Sequence, residues 1–265
     1  MKKQVLLSIC LVAMLGLIYS CQKETTEAAA TSLPLAKMAS EKFNVFKGPE
    51  VALGNGYARS WISISHTDQP KEIGIEITEE AFTSLPPHHV ELVLPLHKKA
   101  IEVTPFEHIG LNNQPNGHFP PGVFDVPHLD AHFYLNTYEE RMAIPAVSPA
   151  TLPLFNLAPP AGYMPPTYMK GGPEPMMGTH WLPPPPTFLP FSRVMIYGTF
   201  NGELKFIEPM VTIAHMLSGG STNPYLQPSK FAEAGNYPTV YNVYRDAKSG
   251  NYHITLSNFV ARTAN

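Results

Sequence analysis

The stretch that decides the fold is RVMIYGTFNGELKFIEPMVTI, Arg193 to Ile213. Two apolar, β-branched runs flank Asn201-Gly202, the pair favoured in a two-residue type I′ turn because both positions need φ above zero. The stretch predicts a hairpin in which Phe200 faces Glu203 and Met195 faces Glu208. Glu208 then shares a face with Leu204, Phe206, Tyr197 and Met195. A carboxylate on so apolar a face needs a partner.

The same alternation recurs in both directions along the chain. YARSWISIS places Ala58, Ser60, Ile62 and Ile64 on one side, and EIGIEIT repeats the pattern after the polar turn HTDQPK, predicting a second hairpin. TVYNVYRD and NYHITLSNFVAR flank AKSG and predict a third. HVELVLPL and AIEVTPFEHI are further strand candidates. EEAFTSLPP is limited to a helical turn or two by its prolines, and NNQPNG and GHFPPGVFDVP read as turn and loop. The chain therefore reads as mostly β, built of antiparallel strands and hairpins in a sandwich or barrel-like form, with very little helix.

Composition agrees. The 265 residues include 29 prolines, and only 15% are charged, against a usual share of about 25%. Proline removes a backbone donor and disfavours long helices. Net charge is −3 and the mature part carries no basic run, which argues against a nucleic-acid partner. From 143 to 190 prolines crowd together with Phe155, Tyr163, Met164, Tyr168, Met169, Met176, Met177 and Trp181. That is too apolar for disorder. It predicts an ordered, Pro-rich loop without regular structure, packed over the domain or against a second subunit.

The N-terminus reads as a targeting segment. Met1-Lys2-Lys3 is basic, and a largely apolar run follows from Val5 to Ile18. As a helix it is about 21 Å long, short of a hydrocarbon core of about 30 Å but suited to a secretory leader. It ends in Ile18-Tyr19-Ser20-Cys21, which resembles a bacterial lipobox. The expectation is a lipoprotein signal peptide over 1–20, lipidation at Cys21, a polar tether over 21–40 and a single β-rich domain over 41–265. The protein is then lipid-anchored outside the cytoplasm, at the outer membrane or cell surface. Cys10 falls in the leader, so the mature domain has neither an internal disulfide nor a cysteine metal site.

The chemistry centres on VPHLDAHFYL, Val126 to Leu135. On a strand His128, Asp130 and His132 share one face with Tyr134, and Leu129, Ala131, Phe133 and Leu135 share the other. Neighbours two apart can meet on one metal ion, but His128 and His132 are about 13 Å apart at about 3.3 Å per residue. One imidazole with Asp130 is the natural pair. Further ligands must come from elsewhere: His118 in NGHFPPG and His180 in MGTHW, with Glu208 as ligand or general base. Imidazole and carboxylate donors suit zinc or another divalent transition metal. The methionines of the Pro-rich segment with His180 offer an alternative soft site for copper. The alternative to any metal is a buried hydrogen-bond network that fixes strand packing.

GHFPPGVFDVPHLDAHFY, MGTHW, YGTFNGELKFIEPM and YPTVYNVYRDAKSGNYHITLSNFVAR together resemble an uncharacterised family of secreted bacterial β proteins and lipoproteins, classed as a domain of unknown function. The resemblance runs from about Tyr57 to Arg262. It implies a β-rich extracytoplasmic domain that tends to form symmetric homo-oligomers, with His128, Asp130, His132 and His180 on motif positions. It brings no established reaction. Three functions stay open: metal-dependent binding in the envelope, metal-dependent hydrolysis or isomerisation of a small substrate, and a structural homo-oligomer.

Overall fold

The structure, a computed structural model, describes residues 42–265. The expected leader, Cys21 and the tether all lie outside the described residues.

Two antiparallel sheets form a sandwich, not a closed barrel. The first runs β1 (Phe43–Lys47), β3 (Gly56–Ser65), β4 (Pro70–Ile77), β14 (Tyr252–Arg262), β13 (Gly235–Arg245) and β12 (Ser221–Pro224), with β2 (Val51–Leu53) on β3. The second runs β5 (Val90–Pro95), β6 (His108–Gln114), β7 (His128–Tyr134), β11 (Glu203–Thr212), β10 (Arg193–Phe200), β9 (Gly178–Leu182) and β8 (Met169–Glu174). The core lies between them. Ile62, Ile64, Ile73, Ile75, Ile254 and Leu256 of the first sheet meet Ile109, Leu111, Leu129, Phe133, Ile207 and Val211 of the second. Each aliphatic side chain so buried contributes about 1.5–3 kcal/mol. All three expected hairpins form.

Helix is confined to short pieces: α1 (Glu79–Thr83), α2 (Lys98–Val103), α3 (Tyr138–Met142), α4 (Leu152–Asn156) and α5 (Ile213–Leu217). Thr78 caps α1 through Ala81 N, and Thr137 forms a capping box with Glu140 at α3. Among the described residues, no helix is long and apolar enough to cross a membrane.

Three expectations change. AIEVTPFEHI is not one strand. Its first part belongs to α2, where His97 Nδ1 accepts from Lys99 N, and strand begins only at His108, beyond the break at Thr104-Pro105. The Pro-rich segment is ordered but not structureless. It contains α4, β8 and β9, and β8 tolerates Pro173 because it is the sheet's edge strand.

The third change moves Glu208. Asn201 and Gly202 have φ of 52° and 80° and Phe200 pairs with Glu203, as predicted. A bulge then follows: Thr199 pairs with Leu204 but Gly198 with Phe206, so Lys205 is the extra residue. Beyond it the register is shifted by one. Met195 pairs with Pro209, and Ile196 with Glu208. Met195 and Tyr197 join the main core, whereas Glu208 shares the outer face with Ile196 and Phe206. A one-residue slip exchanges the faces of a strand.

The outer face of the second sheet is covered as well. Phe124 of the 115–127 loop and Phe188 of the Pro-rich segment pack on Val194, Ile196 and Met210 as a second apolar cluster. Arg141, 1% exposed, pairs with Glu91 and donates to the Met176 carbonyl, tying α3 to the turn between β8 and β9. Every residue of β7 is consequently buried on both faces.

Candidate metal centre

β7 lies between β6 and β11, opposite Gln114, Asn112 and Gly110 on one side and Thr212 and Met210 on the other. The β11 register carries Glu208 opposite His132. The bulge thus delivers a carboxylate to the strand that bears the imidazoles. β9 supplies His180, paired with Gly198 of β10. His118 folds back from the loop, held by His118 N to the Phe124 carbonyl at 3.0 Å.

The six residues form two groups. His118, His128 and Asp130 make one; His132, His180 and Glu208 make the other. Within each group, one ligand atom per residue lies within 4.8 Å of the rest. His128 and His132 serve different groups, as their spacing on a strand requires. The expectation that 128, 130, 180 and 208 share one centre is replaced by two groups whose nearest members on β7, Asp130 and His132, are one strand repeat apart, about 6–7 Å at Cα.

In the first group, His128 Nε2 is 3.0 Å from Asp130 Oδ1 and His118 Nε2 is 3.7 Å from Asp130 Oδ2. The far nitrogens are committed. His128 Nδ1 lies 2.6 Å from the Val126 carbonyl and His118 Nδ1 lies 2.7 Å from the Phe119 carbonyl. A carbonyl only accepts, so both Nδ1 atoms carry the proton. In the neutral rings both Nε2 lone pairs then point at carboxylate oxygens. Lone pair facing lone pair is repulsive unless positive charge lies between. Protons can meet that need singly; a divalent cation meets it for all three donors at once. Backbone acceptors on the far nitrogen are also how metal-binding histidines are usually oriented. Gln114 Nε2 donates to Asp130 Oδ2 at 3.1 Å and fixes the carboxylate. Burial works to raise the Asp130 pKa, but the His118 and His128 imidazoles prevail and hold it well below the usual range. The same pairing lifts His118 against the opposing effect of its own burial.

In the second group, Glu208 Oε1 lies 3.4 Å from His132 Nε2 and Oε2 lies 3.7 Å from His180 Nε2. Both ring nitrogens of His132, and Glu208 Oε2, are buried without a hydrogen-bond partner. Such atoms are costly unless something else satisfies them. Burial pushes His132 down to about 3 and His180 to about 4, leaving neutral rings with free lone pairs. Burial, and then the neighbouring Asp130 charge, push Glu208 well above the carboxylate range. A bound cation reverses that balance.

Phe206 stands between the rings of this group, 4.9 Å from His132 and 5.2 Å from His180 by centroid. It reaches that place because its strand partner is Gly198: a Cβ there would overlap the Phe206 ring. Sequence reasoning passed over Gly198, and also Gln114 and Arg141. Only a glycine interrupting an apolar strand hinted at the first. Two surface clefts of about 300 and 570 Å³ open beside β12, and none of the six residues lines either.

Fold and side chains define a two-sheet β protein with paired imidazole–carboxylate clusters on one covered sheet face. No protein-family model, curated protein or solved structure matches the chain. The functional reading therefore rests on the geometry.

Proposed function

We propose that this is a metal-binding protein of the bacterial envelope, anchored by lipid at Cys21, whose clusters on the outer face of the second sheet hold divalent transition metal. One observation carries the metal reading. Two imidazoles, His128 buried and His118 part-exposed, whose Nδ1 atoms are fixed as donors direct their Nε2 atoms at a buried carboxylate, an arrangement that calls for a cation. Two nitrogens and a carboxylate suit zinc, and also iron or manganese in sites with open positions. The envelope location rests on the leader and lipobox-like sequence.

The test is elemental analysis of the full chain purified in detergent, beside a His128→Ala/His132→Ala variant of unchanged circular dichroism. Stoichiometric metal in the first and none in the second is the expected result. A folded, metal-free protein that also takes up no added zinc, iron or manganese would refute the reading. A second reading, metal-dependent hydrolysis, is favoured by the donor count. Three protein ligands leave a tetrahedral ion one free position for water or substrate.

A further inference from the structure

The two clusters have the same donor types but not the same surroundings. We infer that they hold two separate ions with different duties: a closed, slowly exchanging ion on His132, His180 and Glu208, and an open ion on His118, His128 and Asp130 that takes a small oxygen-donor ligand. This rests on the metal reading above and says which cluster does what.

Access differs first. The His118 side chain is 36% exposed, so the first cluster has an edge on solvent. In the second the side chains of His132, His180 and Glu208 are 3%, 17% and 3% exposed, and Phe206 and Tyr134 wall it in.

Carboxylate denticity differs next. Glu208 spans its two imidazoles, with Oε1 toward His132 and Oε2 toward His180, and Oε2 has no other partner. Both oxygens are available to one ion, which completes a set of two nitrogens and two oxygens with no position left for water. Asp130 also spans its imidazoles, Oδ1 toward His128 and Oδ2 toward His118, but its Oδ2 shares its charge with a hydrogen bond from Gln114 at 3.1 Å. Oδ1 and the two imidazoles are then the strong donors, three atoms, and the part-exposed His118 side leaves room for a fourth from solvent. Closed sets are structural and open ones exchange and react. The two clusters have no residue in common, and their nearest members on β7, Asp130 and His132, are about 6–7 Å apart at Cα, so neither ion depends on a ligand of the other.

The rim of the open cluster gives the ligand class. Phe124 lies 5.6 Å from the His118 ring and Phe191 lies 5.3 Å from the His128 ring. Phe119, adjacent to His118, is 80% exposed. An oxygen donor with an apolar or aryl remainder suits that rim better than a fully polar one, since ring contact adds to coordination.

The experiment uses the full chain in detergent, loaded with Co²⁺ and cleared of excess. Two cobalt ions per chain are expected, and on addition of EDTA one leaves fast and one slowly, with equal amplitudes. His118→Ala should remove the fast phase and halve the cobalt content, and Glu208→Gln should remove the slow phase instead. Benzoate should shift the visible absorption of the fast ion alone, and bind more tightly than acetate. One ion per chain, a single release rate, a fast phase that survives His118→Ala, or benzoate no tighter than acetate overturns the inference while leaving the metal reading intact. No cobalt at all overturns the metal reading itself.

Discussion

Consider acid. His108 stands outside both clusters, 4% exposed at the start of β6, with its ring stacked on Tyr134 at 4.5 Å. Burial, and secondarily the Arg141 guanidinium, push its pKa from 6.5 down to about 4. In the unfolded chain the imidazole titrates near its ordinary value. Above pH 7 both states are neutral and the group contributes nothing. As pH falls below about 6.5 the unfolded state takes up a proton that the folded state refuses, so stability drops, and it levels off below about 4. At pH 4.5 the unfolded imidazole is almost fully protonated and the folded one mostly not, which costs the folded state about 2–3 kcal/mol relative to pH 7. Phenylalanine keeps a stacked ring and cannot titrate. The assay is urea unfolding of wild type and His108→Phe at pH 7 and 4.5, all in EDTA so that metal linkage is absent. Other groups titrate in both proteins and cancel in the comparison. Wild type should lose about 2–3 kcal/mol more than the variant across that interval. Equal losses, or a larger loss in the variant, would refute the argument that burial rather than a hidden partner sets the state of this ring.

Three further outcomes follow from individual contacts. Glu208 is neutral in the metal-free fold because its pKa is raised, and it ionises above about 4.5 once unfolded, so its contribution is lost as pH rises. Glu208→Gln should therefore gain stability relative to wild type between pH 5 and 8 without metal, yet lose the slow cobalt ion; thermal melts in EDTA across that range check it. Gly198→Ala places a methyl into the Phe206 ring and should destabilise by about 1–3 kcal/mol, read by urea midpoint, with cobalt release from the closed cluster accelerated. Arg141→Ala breaks the pairing with Glu91 and the bond to the Met176 carbonyl. It should cost about 1–3 kcal/mol, since the Met176 carbonyl loses its donor while Glu91, part-exposed, is solvated by water, and proteases should cut the turn between β8 and β9 faster while metal content stays unchanged.

The fold was legible wherever side-chain alternation alone decides. Ile73, Ile75 and Ile77 announce a half-buried strand, and Asn201-Gly202 announces its turn, because period two and positive φ are local properties. Lys98 to Val103 misled because Ile101 and Val103 are β-formers, and only the capping histidine and a proline beyond the end select the helix. The Pro-rich segment hid β8 and β9 for the opposite reason. Many of its residues carry poor strand propensity, and the β9 ladder to Trp181 and His180 comes from β10, which the proline run Pro183 to Pro186 separates from it.

The candidate site was legible in its membership and illegible in its partition, and the cause is one bulge. His128, Asp130 and His132 share a face by arithmetic, and arithmetic also forbids one ion from taking both histidines. Which carboxylate joins which imidazole depends on register between strands. Without the bulge at Lys205, Met195 would stand opposite Glu208, and the carboxylate would point with Tyr197 into the core, among groups that cannot answer its charge. With it, Glu208 lies opposite His132 while Asp130 stays with His128. An inserted residue has no signature in hydrophobic pattern, since Leu204, Phe206 and Ile207 suit either register. What distinguishes the two is the energy of a buried charge, which settles the register in favour of the outer face. The two-cluster face and the bulge are thus one feature: a hairpin that closed without it, with Gly198 opposite Lys205 and Met195 opposite Glu208, would turn that face into a buried, unpartnered carboxylate, and the sandwich would not tolerate it.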